Sequence, residues 1–264
     1  MANARFEDGA DFIRSLARGL QVVRAFDRDN PSLTLSEVAE SAGLPRAAAR
    51  RCLLTLRHLG YVGSRGRLFF LTPRVLELGF AYLSSWALPE LALPHMERLS
   101  RRIDESCSMS VLEGADIVYV ARVPVRRVMT ISLGVGARLP AFATSMGRVL
   151  LSGLADKALD RWLAAASTRA LTPHTVFAKP ALKAEVQKVR AQGHALVVQE
   201  LELGLCSVAV PIRDRSGAVV SALNVGLPYR TGVKERMSRE ILPALHGARA
   251  AIEAAIAPLR PREA

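Results

Sequence analysis

The amino-acid sequence predicts an α+β protein in two parts, a small helical N-terminal part and a larger part built on a mostly antiparallel sheet. The chain has 264 residues, half of them apolar, which is enough for two hydrophobic cores. Apolar residues recur with helical spacing up to Gly60 and then with the spacing of short strands. From residue 88 onward, strand-like segments form consecutive hairpins flanked by helical segments, which is typical of a helix-covered antiparallel sheet.

The first two helices of the N-terminal part are predicted over residues 15–26 and 34–41. In the first, Ser15 is available as a cap, and one apolar stripe is expected to face the core: Leu16, Leu20, Val23 and Phe26. In the second, Thr34 can cap the helix, and Glu37 lies three residues later, as a capping box requires. The break between the two helices is predicted at Asn30-Pro31-Ser32.

A third helix is predicted to follow a tight turn. Gly43 suits a positive φ in that turn, and Pro45 can open a helix that runs to about Leu59. One face of this helix is apolar and is expected to be buried: Ala49, Cys52, Leu53, Leu56 and Leu59. The other face is basic: Arg46, Ala47, Arg50, Arg51, Leu54 and His58. A tight turn followed by a helix with a basic outer face is the arrangement of a helix-turn-helix.

The region around this helix has an unusual charge distribution. No acidic residue occurs between Glu40 and Glu77, whereas seven arginines do, and the whole chain has a formal net charge of +12. After Gly60, two short strands at 61–62 and 68–71 flank a Gly-rich basic hairpin, which predicts a wing. A solvated basic face is the alternative, but the ordered set favours DNA binding. The predicted contact residues are Arg46, Ala47, Arg50, Arg51, Arg57, Arg65 and Arg67.

Several other classes of protein do not fit the sequence. The most apolar stretch, residues 76–93, is interrupted by charged residues and a proline, so no membrane partner is expected. The first residues lack the order of a signal peptide, so we expect the cytoplasm. The three cysteines and five histidines share no ligand spacing, so neither a metal nor a cofactor is expected. Ser145 is not in a G-x-S-x-G motif, and an enzyme with a DNA-binding appendage is the weaker alternative.

The predicted domains are a DNA-binding domain at 1–73, a linker helix at 74–88 and a second domain at 89–264. The linker has more large apolar residues than a small winged domain can bury, which favours packing on a partner chain or on the second domain over a plain core helix. In the second domain, helices are predicted at 91–103, 145–152, 157–166, 181–192 and 232–257. Strands are predicted at 108–112, 116–123, 128–133, 194–198, 207–213 and 218–227, with a loop at 134–140.

The chain resembles the IclR-type family of bacterial transcription regulators over nearly its whole length. The matching stretches are residues 35–62, residues 70–79, residues 139–151 and Gln199-Glu200-Leu201-Glu202-Leu203-Gly204-Leu205. The stretches Arg46-Ala47-Ala48-Ala49-Arg50-Arg51 and Thr144-Ser145-Met146-Gly147-Arg148 are similar to the pca/pob-type subgroup, which regulates aromatic-acid catabolism through the β-ketoadipate pathway. The resemblance implies a winged helix-turn-helix, a linker helix, a GAF-like effector-binding domain, and a homodimer or dimer of dimers. Operator DNA is then the partner, with RNA polymerase a further candidate.

The resemblance also implies where a small organic acid would bind. By position, the effector-binding residues are Val128, Leu139, Ser145, Met146, Val197, Ser207, Asn224 and Gly226. A helix start near Ser145 suits a carboxylate, and many relatives have an acidic residue at Val197 or Val198, where this chain has two valines. The candidate effectors are protocatechuate, 4-hydroxybenzoate, β-ketoadipate and cis,cis-muconate. The alternative is a non-aromatic acid, glyoxylate-like or sugar-derived. A role of Arg122 in binding a diacid stays open, and Arg126 and Arg127 are expected at the surface.

Overall fold

A computed structural model describes residues 11–84, 86–125 and 134–258 of the protein. The chain divides into two compact units, residues 1–85 and residues 86–264. No helix in the described ranges is long and apolar enough to cross a membrane. The predicted strand at 128–133, with the predicted site residue Val128, lies outside the described residues, as do Arg126 and Arg127.

The first unit contains three helices, a small sheet and a terminal helix. Its helices are α1 (Arg14–Arg24), α2 (Leu35–Ser41), α3 (Arg46–His58) and α4 (Leu76–Ser84), the last preceded by a 3-10 turn at Pro73–Val75. Its strands are β1 (Leu33–Thr34), β2 (Val62–Arg65) and β3 (Leu68–Leu71), which pair antiparallel in the order β1-β3-β2. The core is formed by apolar side chains of the first three helices and the strands, together with Phe26 just after α1; among the others are Val22, Leu33, Val38, Leu53 and Val62.

Local sequence signals set the ends of these helices. The capping box at α2 is confirmed, because the backbone N–H of Thr34 donates to Glu37 Oε2 at 2.7 Å and the N–H of Glu37 donates back to Thr34 Oγ1 at 3.4 Å. Gly43 has the predicted positive φ, +62°, and its N–H donates to the carbonyl of Glu40 at 3.0 Å. This glycine therefore turns the chain directly from α2 into α3.

Two expectations for the first unit were wrong. The cap of α1 is Ile13, without a side-chain hydrogen bond, and not Ser15. The stripe on α1 is only partly buried, because Leu16 is 61% exposed and Leu20 is 46% exposed, whereas Val22 is fully buried. The face of α1 that contains Val22 therefore packs on the core of its own unit, and Leu16 and Leu20 remain on the surface.

The second unit is a six-stranded antiparallel sheet with helices on both faces. Its strands are β4 (Cys107–Glu113), β5 (Asp116–Val123), β6 (Arg138–Pro140), β7 (Ala195–Val198), β8 (Leu205–Arg213) and β9 (Val219–Pro228), in the spatial order β6-β5-β4-β9-β8-β7. Its helices are α5 (Leu88–Ile103), α6 (Ser145–Ser152), α7 (Asp156–Ala165), α8 (Lys179–Gln192), α9 (Val233–Arg236) and α10 (Leu242–Ile256). The predicted α+β class with a mostly antiparallel sheet is confirmed.

The two faces of this sheet belong to two separate cores. On one face, α5 and α10 pack on residues such as Cys107, Val208 and Val225. On the other face, α6, α7 and α8 pack on residues such as Ile117, Ala209 and Ala222. Side chains along a strand alternate between the faces, so Ser108, Ser207 and Asn224, which lie between residues of the first core, point toward the α6 side.

The structure corrects two further expectations for this unit. The predicted loop at 134–140 ends in the short strand β6, in which Leu139 pairs with Ile117. The predicted final helix at 232–257 is interrupted by a π-helical turn at Met237–Ile241, between α9 and α10. Both features are short, and β6 is a strand only because it pairs with β5, which a local pattern does not report.

Candidate DNA interface and ligand pocket

Helix α3 presents a basic face to solvent. Ala48, Ala49 and Leu53 are buried against the unit, whereas the predicted contact residues are exposed: Arg46, Ala47, Arg50, Arg51 and Arg57. Leu59 was expected on the buried side but lies just past the end of the helix and is 48% exposed. Pro45 and the turn at Gly43 fix where α3 begins, so they also determine which arginines face outward.

The β2–β3 hairpin extends this basic surface. Arg65 and Arg67 are exposed on either side of Gly66, whose φ is +60°. Arg57 Nη1 donates to Ser64 Oγ at 3.4 Å, which links α3 to the hairpin. Among the described residues, the six predicted contact arginines form no ion pair with Asp or Glu. Their charge is therefore available to a phosphate backbone.

Arg74 belongs to the same acid-free window but has a different environment. Its Nε lies 3.4 Å from Glu77 Oε2, and its guanidinium lies 5.5 Å from the centre of the Tyr61 ring. These contacts hold Arg74 with an anion and an aromatic ring. Arg74 thus differs from the other six arginines of the acid-free window, because its side chain already has an anionic and an aromatic partner.

The second unit contains a cavity of about 280 Å³ on the α6 face of its sheet. Six predicted effector-binding residues line it: Leu139, Met146, Val197, Ser207, Asn224 and Gly226. Ser145 is fully buried, and its hydroxyl donates to Ser207 Oγ at 2.8 Å, so it lies behind the wall and orients a lining residue. Residues from four strands and one helix are therefore brought together, although their role in binding an effector stays a prediction.

Several lining residues were not among the predicted effector-binding residues, although a role of Arg122 had been left open. They lie just before or on β4, on β5, before α6, in the loop leading into β8 and at its first residue, and at the end of β9: Ser106, Ser108, Tyr119, Arg122, Ala143, Thr144, Leu201, Glu202, Leu203, Gly204, Leu205 and Pro228. Alternation along β4 could have indicated Ser108, since it lies between Cys107 and Met109 of the other core. Arg122 depends on the pairing of β5 with β4, in which it lies opposite Ser108.

The polar groups of the pocket are unevenly satisfied. Arg122 Nη1 donates to Ser108 Oγ at 3.1 Å, whereas Asn224 Oδ1 is buried without a hydrogen-bond donor among the described residues. Burial raises the pKa of Tyr119 to about 12, against the opposing effect of the Arg122 charge, so the phenol remains protonated at neutral pH. The pocket therefore offers a cation, a phenol and an unsatisfied amide to whatever occupies it.

The start of α6 forms one wall of the pocket. Thr144 caps the helix, and its Oγ1 accepts the N–H of Gly147 at 3.1 Å. The N–H groups of Ser145 and Met146, as the first two residues of the helix, have no acceptor within it. Gly147 is required here because a Cβ at this position would overlap the backbone of Ala141.

A buried ion pair holds the loop on the other side of the pocket. Arg148 Nη1 lies 2.8 Å from Glu200 Oε1, and the second guanidinium nitrogen contacts Glu200 Oε2. The N–H of Val176 donates to the same Oε2 at 2.8 Å, and Thr175 Oγ1 donates to the carbonyl of Glu200 at 2.6 Å. Since residues 201–205 follow Glu200 directly and line the cavity, this network positions them.

The described residues contain no group of three or more His, Cys, Asp or Glu side chains that could hold a metal ion. Burial raises the pKa of the Cys107 thiol to about 12, and Cys206 is shifted in the same direction by the same cause. Neither thiol is therefore a thiolate at neutral pH.

An exposed arginine face on a winged helix-turn-helix, together with a cavity in a separate sheet unit, defines a DNA-binding regulator with a small-molecule pocket. The chain belongs to the IclR family of bacterial transcriptional regulators. Residues 15–66 match the family described as IclR helix-turn-helix domain, and residues 80–254 match the family described as Bacterial transcriptional regulator IclR C-terminal. The predicted family is thereby confirmed.

The named relatives agree with the predicted pca/pob-type subgroup. The chain is 46% identical over 241 residues to the Pca regulon regulatory protein of Pseudomonas putida, covering 91% of this chain and 83% of the relative. It is 36% identical over 240 residues to the p-hydroxybenzoate hydroxylase transcriptional activator of Acinetobacter baylyi, covering 89% of each. The crystal structure of an IclR homolog from Microbacterium hydrocarbonoxydans, complexed with 4-hydroxybenzoate, superposes with a TM-score of 0.80 at 27% identity, covering 92% and 98% of the two chains.

Proposed function

We propose that the protein regulates genes of aromatic-acid catabolism in the β-ketoadipate pathway, in the cytoplasm, by binding operator DNA in response to a small organic acid. The observation that carries this proposal is the cavity of about 280 Å³ with one arginine, an unsatisfied asparagine and apolar walls. Such a lining suits an acid with a small carbon skeleton. The relatives named after the Pca regulon and p-hydroxybenzoate hydroxylase support the aromatic class.

DNA binding is assigned to α3 and the wing. We expect α3 to lie in the major groove with Arg46, Arg50 and Arg51 near base edges, while Arg65 and Arg67 contact phosphate or the minor groove. Small Ala47 allows close approach of the helix to the bases. The acid must bind one arrangement of the two DNA-binding domains more tightly than another for it to change operator affinity.

A homodimer is part of the proposal. In the first unit, large apolar side chains of α1 and α4 are exposed: Leu16, Leu20, Leu76, Leu78 and Phe80. An exposed apolar set of this kind is typical of a protein interface. The two DNA-binding domains of such a dimer would bind half-sites whose centres are roughly 34 Å apart, or a multiple of that distance. Comparing the sedimentation coefficients of wild type, Leu16→Lys and Leu20→Lys tests this proposal. Unchanged sedimentation of both variants would show that these leucines do not form the dimer interface.

The experiment that tests the function combines two measurements on the full-length protein. Fluorescence anisotropy measures affinity for promoter fragments from the genes flanking its own, at several salt concentrations. A thermal-shift screen then compares protocatechuate, 4-hydroxybenzoate, β-ketoadipate and cis,cis-muconate with glyoxylate and sugar acids. Salt-dependent operator binding that changes with an aromatic-pathway acid supports the proposal. A shift only with glyoxylate or a sugar acid would instead assign the alternative effector class.

A further inference from the structure

The pocket has two ends at which an acid group could bind. One end is the start of α6, near Ser145 and Met146, which the sequence favoured for the carboxylate. The other end is on β4 and β5, where Arg122 and Ser108 lie directly opposite each other in the paired strands. Asn224 lies opposite Ser108 on the third strand, β9, so these three polar residues form a row across the sheet.

We propose that Arg122, supported by Ser108, binds the carboxylate of the acid, and that the α6 end receives an uncharged polar group. The proposal rests on the proposed function, because it assigns the orientation of the acid in the same pocket. It also decides the role of Arg122, which the sequence left open, and assigns a role to Ser108, which the sequence pattern did not select.

The state of Arg122 favours an anionic ligand. Its side chain is half-buried, it lines the cavity, and its hydrogen bond goes to an uncharged hydroxyl. In the described part of the chain it forms no ion pair, although Glu202 also lines the cavity. Taking a cation partly out of water without a counter-ion costs free energy, and a bound carboxylate would supply that counter-ion through charge-assisted hydrogen bonds.

The α6 end is less suited to a full negative charge. A helix start contributes only a partial positive charge of about half a unit, whereas a guanidinium contributes a whole one. Two of the polar groups there are already engaged, since Thr144 accepts the N–H of Gly147 and the Ser145 hydroxyl donates to Ser207. What remains suits a hydroxyl or a keto group.

The unsatisfied atom of Asn224 points to the same orientation. Asn224 is 8% exposed, lines the pocket, and its buried Oδ1 has no donor in the described ranges. An oxygen acceptor repels a carboxylate but accepts from a hydroxyl, so the carboxylate is held toward Arg122, and a donor on the carbon skeleton satisfies Asn224. Protonated Tyr119, which also lines the pocket, is a further donor available to the carboxylate.

The test compares an acid with its neutral amide in three proteins. Calorimetry on the full-length protein measures 4-hydroxybenzoate against 4-hydroxybenzamide, and protocatechuate against its amide, with wild type, Arg122→Gln and Arg138→Gln. Arg138 is the matched control, because it is an exposed arginine on neighbouring β6 that pairs with Asp116 and does not line the cavity. We expect wild type to prefer each acid, Arg122→Gln to lose roughly tenfold to a hundredfold for the acid with little change for the amide, and Arg138→Gln to match wild type.

The outcomes separate the two proposals. If Arg122→Gln binds the acids as tightly as wild type does, the carboxylate lies elsewhere and the orientation is wrong. If wild type binds neither these acids nor their amides, and also neither β-ketoadipate nor cis,cis-muconate, the proposed function is wrong, and the proposed orientation is wrong with it. Arg122→Lys keeps the charge without the planar fork, so it should recover part of the lost acid affinity. A variant whose loss is the same for acid and amide would indicate a damaged pocket and would contradict a specific role in carboxylate binding.

Discussion

Arg148 and Glu200 form a two-bond ion pair inside the second unit, 52 residues apart in sequence, with Arg148 Nη1 2.8 Å from Glu200 Oε1. Their side chains are only 2% and 9% exposed. The pair joins α6, one wall of the pocket, to the loop that forms another wall. A charge pair at this depth is highly sensitive to the loss of one partner, since the remaining charge stays buried and unpaired.

Arg148→Leu should therefore destabilise the second unit by about 3–5 kcal/mol, because it leaves the Glu200 carboxylate buried without its cation. Chemical denaturation of the full-length protein measures the change. Lys183→Ala is the control, since it breaks an ion pair with Asp160 that is largely exposed and should cost less than about 1 kcal/mol. If the two variants lost the same free energy of unfolding, the Arg148–Glu200 pair would be no more important for stability than an exposed ion pair.

Arg50→Ala and Arg51→Ala should each weaken operator binding by roughly 1–3 kcal/mol if the side chain reads a base, and relax specificity at that base pair. A phosphate contact would instead weaken all sequences and reduce the salt slope by about one. Anisotropy with operator and random duplexes distinguishes the two. Arg98→Ala, an exposed arginine of α5 in the other unit, gives the matched loss of charge. Wild-type operator affinity in both α3 variants would remove the recognition-helix assignment.

Ser207→Phe should block the pocket and abolish the response to the acid, while operator affinity stays within about twofold of wild type. Ser207 suits this test better than Ser145, because Ser207 lines the cavity and Ser145 is fully buried behind it. Calorimetry and operator binding with and without acid measure the two properties. Ser216→Phe, in the exposed turn before β9, is the control. An intact response in Ser207→Phe would place the effector outside this cavity.

The α2 capping box should make the stability of the first unit depend on pH. Hydrogen bonds from the backbone N–H and the hydroxyl of Thr34 lower the pKa of Glu37 below its ordinary 4.5. A lowered carboxyl pKa means that its stabilisation is present above 4.5 and is lost as the pH falls through the folded-state value. NMR titration should find this pKa below 4.5 in wild type and closer to 4.5 in Thr34→Val. Identical values in the two proteins would contradict the capping arrangement.

The features that the sequence predicted well depend on local interactions. The capping box at Thr34 and Glu37, the turn at Gly43 and the ends of α6 are set by residues close together in the chain. The resemblance to a family then predicted six residues that line the pocket, because their positions correspond to the effector-binding region of that family: Leu139, Met146, Val197, Ser207, Asn224 and Gly226.

The features that the sequence missed depend on pairing between distant segments. Strand β6 has three residues and is a strand only because it pairs with β5. Arg122 enters the pocket because the β4–β5 register shifts between Met109 and Ser110, and this irregularity has no clear signature in the sequence. The exposure of Leu16 likewise depends on which side of α1 packs against the other helices. An apolar stripe in the sequence does not show whether it packs against the same chain or against another molecule.

Gly147 also limits how this pocket can diversify. Only a hydrogen atom fits between α6 and the turn at Ala141–Ala143, so the helix cannot move outward to admit a bulkier molecule without breaking that close contact. New chemical preferences must then arise by exchanging side chains on the strands and on the 201–205 segment, with the helix acting as a fixed reference. Proteins that evolve from this one would therefore change their ligand by substitutions on the sheet, while the distance between the sheet and α6 stays the same.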